Sequence, residues 1–340
     1  MSLGFSLEKR GPQMKLPSIN NQRDFLLIDV GAADGFQGKW DVLGARLRVI
    51  GFEPDLRTYD LLDKSDPRVT YINAALGKAG DKRTLFLTAK AQCSSTFPAN
   101  TEFLENFPDP ERYELVGQEQ LRVATLDDAL RAKFSEIPSA DFVKLDVHGV
   151  EPDIIEGGLQ TIANGVIGFE IETSFQELWK GQALFSDVNA VLVKLGFQLY
   201  DIKTVFWRRN NKRLGQLKGQ IIYGDTLYFR SPEGVRDIVA KMADRELAKS
   251  KALNSIIAFL IFGYKDSAEA VLNYCADHFT GAERVEIERS MQISPLERFF
   301  ADAFERVKLH SLANWLAELT NWHKRNFFTI SGKLGNYDTH

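Results

Sequence analysis

Short apolar runs alternate with stretches of helical periodicity through the first two thirds of this chain. The runs at 25–30, 48–52, 69–74, 142–147, 166–171, 197–206 and 220–229 predict strands. Helical patterns at 40–47, 56–63, 126–132, 152–163 and 184–195 fall between them, and Pro152 suits a helix's first turn. Such alternation predicts parallel βαβ units. The last two strands are joined only by a polar, glycine-containing stretch, 208–219. They are expected to form an antiparallel hairpin closing the sheet. The fold class is therefore α/β, a mostly parallel sheet with an antiparallel strand near its edge.

The stretch 75–123 breaks the rhythm. Residues 83–88 read as an added strand, and Cys93-Ser-Ser-Thr-Phe-Pro98 opens a long irregular insertion of the kind that forms lids and binding loops. After Pro232 only helical stripes follow: Val235, Ile238, Val239 and Met242; Leu296, Phe299, Phe300, Ala303, Phe304 and Val307; Leu312, Trp315, Leu316, Leu319 and Trp322. The expected organisation is an arm at 1–22, an α/β domain at 23–231, a helical domain at 232–330 and a tail at 331–340.

A length of 340 residues suits two domains, and 44% hydrophobic with 26% charged residues is ordinary globular composition. A net charge of −4 gives no reason to expect nucleic acid as partner. Cys93 and Cys275 make neither a disulfide framework nor a metal spacing and fit a reducing compartment. The first residues lack the apolar core of a signal peptide, and the run 256–262 is far short of the ~20 residues of a membrane span. A cytoplasmic protein without a membrane span is expected.

Gly31-Ala-Ala-Asp-Gly35 directly follows the first strand, where a glycine loop lets backbone N–H groups face a ligand. Its spacing departs from the dinucleotide fingerprint Gly-x-Gly-x-x-Gly, since Ala33 and Phe36 stand at the second and third glycine positions. That argues against a pyrophosphate cofactor and for S-adenosylmethionine, lying over Gly31, Ala32, Ala33 and Gly35. Glu53 follows Gly31 by 22 residues, at the end of the second strand with Pro54 beside it. An acid there can accept hydrogen bonds from both ribose hydroxyls, or can be a solvated loop acid.

Several blocks together resemble the FkbM family of S-adenosylmethionine-dependent methyltransferases. They are Ile28-Asp-Val-Gly-Ala-Ala-Asp-Gly35, Gly51-Phe-Glu-Pro54, Leu126-Asp-Asp128, Asp141-Phe-Val-Lys-Leu-Asp-Val-His-Gly-Val-Glu151, Gly168-Phe-Glu-Ile-Glu172 and Gly224-Asp-Thr-Leu-Tyr-Phe229. They stand in the family's order and cover roughly residues 25–230. The resemblance implies a class I methyltransferase (Rossmann-like) fold and O-methylation of hydroxyls on glycans or polyketide-type metabolites. It does not extend past Pro232. Family members often carry Glu or Gln where this chain has His148, so the family's catalytic scheme does not transfer at that position.

Asp29 can orient the glycine loop, reach the donor's ammonium through water, or bond nearby backbone N–H groups. Asn73 and Ala74 end the third strand, where adenine lies in such folds. Asp146 ends the fourth in an otherwise apolar run, placed to contact the methionine ammonium or the acceptor hydroxyl. His148 shares its side if the strand continues, and serves as general base or caps the next helix. Transfer from a sulfonium needs mainly in-line placement of the nucleophile. Asp146, Glu170 and Glu172 can form an oxygen-rich Mg²⁺ site, bond sugar hydroxyls, or pair with Lys144; no metal is assigned. Ser94, Ser95 and Thr96 are candidate acceptor contacts. The basic run 208–213 either attracts an acidic acceptor or is a solvated turn.

The expected function is S-adenosylmethionine-dependent O-methylation of a hydroxyl on a sugar, glycan precursor or secondary metabolite. Donor binding falls to the residues above, His148 or failing that Asp146 removes the proton, and a homodimer through the helical domain is one expected assembly. The alternatives are a non-catalytic nucleoside-binding scaffold with a partner-recruiting helical domain, and a nicotinamide-dependent dehydrogenase.

Overall fold

The computed structural model describes residues 16–19, 21–36, 38–210 and 219–292, and the backbone of 329–331. In chain order the strands are β1 (Phe25–Val30), β2 (Leu47–Phe52), β3 (Val69–Ile72), β4 (Ala75–Leu76), β5 (Lys82–Thr88), β6 (Leu115–Ala124), β7 (Phe142–Leu145), β8 (Gly168–Ser174), β9 (Phe197–Trp207), β10 (Gln220–Arg230) and β11 (Thr329–Ser331). Eight of them form one sheet in the order β11-β9-β10-β8-β7-β1-β2-β3. The five from β3 to β8 are parallel. β10 runs antiparallel between β8 and β9, so the expected hairpin is present with its return strand inside the sheet. This is the class I methyltransferase arrangement. From β1 the chain builds outward to β2 and β3, then returns to β7 on the other side. The resulting switch point opens a crevice at the carboxyl ends of β1 and β7.

Both sheet faces are covered, which is why the parallel strands are almost wholly apolar. Phe25 and Leu27 of β1 point into one core, Ile28 and Val30 into the other. The second core is closed by Leu126, Leu130, Ile154, Ile155, Val188 and Leu192. The first is closed by the helices after Pro232, namely Pro232–Ala240, Arg245–Ile261, Lys265–Tyr274 and Gly281–Met291. Phe142 stacks on Phe262 at 5.3 Å, and Phe229 on Phe259 at 4.5 Å. The described part of segment 232–330 thus shares a core with the sheet. No helix among the described residues is long and apolar enough to cross a membrane. The stripes at 296–307 and 312–322, most of the 1–22 arm and the tail beyond Ser331 lie outside the described residues.

Lys251 locks this covering layer to the sheet. Fully buried, its ammonium donates to the Ala140 and Gly165 carbonyls (3.1 and 2.9 Å) and to Asp141 Oδ1 (2.6 Å). Asp141 also accepts from Arg23, from the Leu26 N–H (2.9 Å) and from Asn254 (3.0 Å).

Three expectations are corrected. The 40–47 helix is a 3₁₀ segment, Gly38–Arg46, broken at Gly44 (φ 55°, ψ −127°), because a glycine in that conformation cannot propagate an α-helix. The 152–163 helix is two, Glu151–Glu156 and Leu159–Ala163, parted by Gly157 and Gly158. The insertion is not irregular throughout: β6 pairs with β5 along its length, and β4-β6-β5 form a second sheet. Most of β6 is exposed or half-buried, so its polar sequence lacks the apolar alternation that announces a strand.

Candidate active site

The carboxyl ends of β1, β2 and β7 open into a cavity of about 340 Å³. Gly31, Ala33, Asp34, Gly35 and Phe36 line it from the first loop, Glu53 and Pro54 from the turn after β2, and Lys144, Asp146 and His148 from the end of β7. Ala91, Gln92 and Ser94 cover it from the insertion. A neighbouring cavity of about 400 Å³ shares the loop residues Ala33 to Phe36 and runs on to Tyr71.

Gly31 has φ +84°, and a Cβ there would sit 2.0 Å from the Asp146 carbonyl oxygen. Any side chain would push the two strand ends apart. The loop differs from expectation in what it offers. The Gly31 and Ala32 N–H groups donate to the Phe52 carbonyl (2.9 and 3.1 Å), and that of Gly35 to Ala32 (3.0 Å). At these positions the loop supplies space and curvature rather than free donors.

Glu53 is almost wholly buried, and its Oε1 accepts from the Asp55 N–H at 2.8 Å. Burial pushes its pKa up to about 7 despite that hydrogen bond. The Asn73 amide donates to the carbonyls of Glu53 (2.9 Å) and Pro54 (3.1 Å), fixing the turn that carries the acid. Asn73, Ala74 and Ala32 are not on the cavity wall, and neither is Asp29. The Asp29 carboxylate is fully buried with neither oxygen hydrogen-bonded, 3.6 Å from the Lys144 ammonium. Burial raises its pKa against the pull of Lys144.

Lys144 also donates to Asp146 Oδ2 at 3.2 Å. Burial acts to raise the Asp146 carboxyl, but Lys144 and His148 outweigh it and hold it below the ordinary carboxylate value. β7 ends at Leu145 and the chain turns, with His148 at φ +61°. Its side chain nevertheless returns to Asp146. The Nδ1 lies 3.0 Å from the Ser94 carbonyl oxygen, and a carbonyl can only accept, so Nδ1 carries the hydrogen. In the neutral ring the Nε2 lone pair then faces Asp146 Oδ1 (3.9 Å) and Glu172 Oε1 (3.7 Å). Glu172 is held well above the usual carboxylate range by burial and by the Asp146 charge.

Asp146, His148 and Glu172 each present an atom within 4.8 Å of the others, a set able to hold a divalent cation. Glu170 does not join them. Nearly inaccessible, it is ion-paired with Lys39. The insertion residues hold the histidine turn: Ser95 Oγ donates to the His148 carbonyl (3.2 Å), while Ser94 Oγ accepts from Arg57 (3.0 Å) and the Thr88 N–H (3.2 Å). Thr96 Oγ1 is buried without a partner. Arg208 and Arg209 are not on the cavity wall; Arg209 bonds Asn106 (2.8 Å), and 211–213 lie outside the described residues.

Lys144, one of the partners expected for the acids, does pair with Asp146. Trp179 escaped the sequence and left no signal in it; its indole stacks on the His148 imidazole at 4.2 Å and donates to the Cys93 carbonyl (3.3 Å).

The charged side chains on the cavity wall are Asp34, Glu53, Asp55, Asp146 and Lys144. Even with Asp55 paired to Arg57 and Glu53 partly protonated, the wall carries more negative than positive charge, which suits a ligand carrying positive charge, such as a sulfonium with an ammonium, and opposes a pyrophosphate. A buried carboxyl at Glu53 and the side-chain-free cradle at Gly31 are chemically compatible with S-adenosylmethionine.

A family model, the methyltransferase FkbM domain, matches residues 29–199. Among solved structures the chain is similar to methyltransferase FkbM from Methylobacillus flagellatus KT, at 16% identity over 61% of this chain and 43% of that one, TM-score 0.33. It is similar to precorrin-6y C5,15-methyltransferase from Geobacter metallireducens GS-15, at 14% identity over 62% and 82%, TM-score 0.33. A third is magnesium protoporphyrin IX methyltransferase from Synechocystis PCC 6803 with bound S-adenosylmethionine, at 11% identity over 62% and 71%, TM-score 0.27. The chain spans less than half the length of the first of these. No curated protein matches the sequence. With half of its length matched by that family model, the chain belongs to the FkbM family of S-adenosylmethionine-dependent methyltransferases.

Proposed function

We propose that the protein transfers a methyl group from S-adenosylmethionine to a hydroxyl oxygen, on a sugar, glycan precursor or secondary metabolite. The observation that carries this reading is the orientation of His148. Its Nδ1–H is tied to the Ser94 carbonyl, and its Nε2 is turned toward Asp146, which lines the cavity, and toward Glu172. A hydroxyl is a poor nucleophile while protonated, and a neutral imidazole nitrogen is suited to take its proton. When bound, the donor supplies the activated methyl group; the protein positions the acceptor and removes the proton.

In this reading Glu53 accepts from the ribose hydroxyls, and Gly31, Ala33 and Gly35 make room for the donor's chain. Asp146, held ionised by Lys144, steadies the imidazolium that forms when His148 accepts the proton. The acceptor approaches beneath the insertion.

Calorimetry with S-adenosylmethionine and with NAD, followed by mass analysis of candidate hydroxyl acceptors, tests this. Donor binding plus a product heavier by one methylene is expected, with S-adenosylhomocysteine released. Binding of NAD instead, or tight donor binding with methyl transfer only to nitrogen or carbon, would overturn it.

A further inference from the structure

A cavity of about 440 Å³ lies outside the donor site, in the insertion. Its wall is largely apolar, with Phe86, Phe97, Leu104, Tyr113 and Trp179 contributing. The charged side chains on it are Glu105, Glu111 and Glu114, all exposed and, among the described residues, in no ion pair. Among the described residues, neither lysine nor arginine lines it. Arg112, in the midst of these acids, lies over the Tyr113 and Trp207 rings instead.

We propose that this cavity binds a ring-bearing ammonium compound, its apolar body against Phe97 and Trp179 and its charge on the glutamate rim. Three unpaired carboxylates at the mouth attract a cation and repel an anion. The aromatic side chains on the wall offer apolar contact to the ligand's ring. The volume is that of a small-molecule site.

The cavity abuts the methyl-transfer site without being part of it. Neighbouring residues of β5 serve the two: Leu85 lines the donor cavity and Phe86 this one. Trp179 is on its wall and stacks on His148. Phe97 packs against the next residue, lying 3.2 Å from where a Gly149 Cβ would be. A ligand here therefore touches the side chains that hold the histidine turn. This coupling rests on the methyl-transfer reading; the binding site does not. The ligand is either the non-reacting body of the acceptor or a separate effector.

The test uses the full chain with benzyltrimethylammonium and benzenesulfonate as probes, read by calorimetry. The cation should bind at least about tenfold more tightly than the sulfonate. E105Q/E111Q/E114Q should remove most of that preference, and Thr101→Trp, at an exposed lining position, should block binding. S-Adenosylmethionine affinity, measured on the same samples, should not change in either variant, so failure of the donor reading is seen separately. Equal binding of the two probes, or cation binding that survives Thr101→Trp, overturns the proposal. Tyramine, which carries a ring, a hydroxyl and an ammonium, separates the two sources. Methylated tyramine identifies the acceptor's body, and binding without transfer identifies an effector.

Discussion

The imidazole of His148 lies flat on the indole of Trp179, with ring centroids 4.2 Å apart and planes 18° from parallel. Together with the Ser94 carbonyl on Nδ1, this stack leaves the ring little freedom to turn Nε2 away from Asp146 and Glu172. Trp179 is thus a positioning residue. Trp179→Phe should keep most of the turnover, whereas Trp179→Leu should lower kcat by about tenfold or more with little change in donor affinity. Comparing kcat, KM and the pH profile checks this. Equal losses in both variants, without a change in the pH profile, would reduce Trp179 to a packing role.

His148 itself is expected to contribute as the base. His148→Ala should slow transfer by ~10²–10⁴, and the acidic limb of the pH–rate profile should vanish with it. Donor binding measured by calorimetry should survive. A loss of only a few fold with the limb intact would move proton removal to Asp146.

In the proposed reading, Glu53 makes donor binding pH-dependent. Its pKa of about 7 means that the carboxylate needed to accept from two ribose hydroxyls is only half formed at neutrality. Donor affinity should therefore rise with pH through 7 and level off above it. Glu53→Gln should flatten that profile and weaken binding by about 10–100-fold, the range expected for hydrogen bonds to a charged group. The sign for stability is opposite. The folded, ligand-free protein holds a proton on Glu53 that the unfolded chain has lost, so its stability falls as pH rises from about 4.5 to 7. Calorimetric titration of both proteins with the donor on either side of neutral pH checks the first statement, and thermal melts of the ligand-free proteins across the acidic window check the second.

The sheet was legible because parallel strands buried on both faces are written as plain apolar runs, and 25–30 matches β1 residue for residue. The hairpin was legible from the lack of any helical pattern between its strands. What escaped depended on one or two glycines, as in the broken 40–47 and 152–163 helices, or on exposure, as in β6. Glu53 and Asp146 directly follow β2 and β7, where position alone makes them candidates; His148 lies beyond a turn, and its return toward Asp146 was not readable from strand alternation. The Gly31 N–H could not be judged that way, because its acceptor, the Phe52 carbonyl, becomes its neighbour only when β1 and β2 pair. Trp179 stands 31 residues from His148 (179 minus 148) and is brought against it by tertiary packing alone.

Metal removal separates base from ligand at His148. The Asp146 carboxylate already has a cation, the Lys144 ammonium at 3.2 Å, and Glu170 is taken by Lys39. If Nε2 accepts the acceptor's proton, it cannot also bind a metal ion. Exhaustive dialysis against a chelator should leave methyl transfer unchanged, and added Mn²⁺ or Mg²⁺ should not raise it. Activity that disappears on dialysis and returns with one of these ions would assign Asp146, His148 and Glu172 as ligands instead.

Lys251 tests how far the covering helices support the sheet. Burial drives its pKa down to about 8, while Asp141 beside it is held below the usual carboxylate range by Lys251 and Arg23, which outweigh the effect of burial. Lys251→Met strips one cation from a buried carboxylate and leaves the Ala140 and Gly165 carbonyls without their donor. A loss of about 3–5 kcal/mol in chemical denaturation is expected. Adding Asp141→Asn removes the stranded charge, so the double variant should recover part of that loss. Were the double variant as unstable as the sum of the two single ones, the pair would be acting independently and the lock would lie elsewhere. Donor affinity in the folded fraction should be unaffected, because Asp141 precedes β7 whereas the donor cavity opens beyond its carboxyl end.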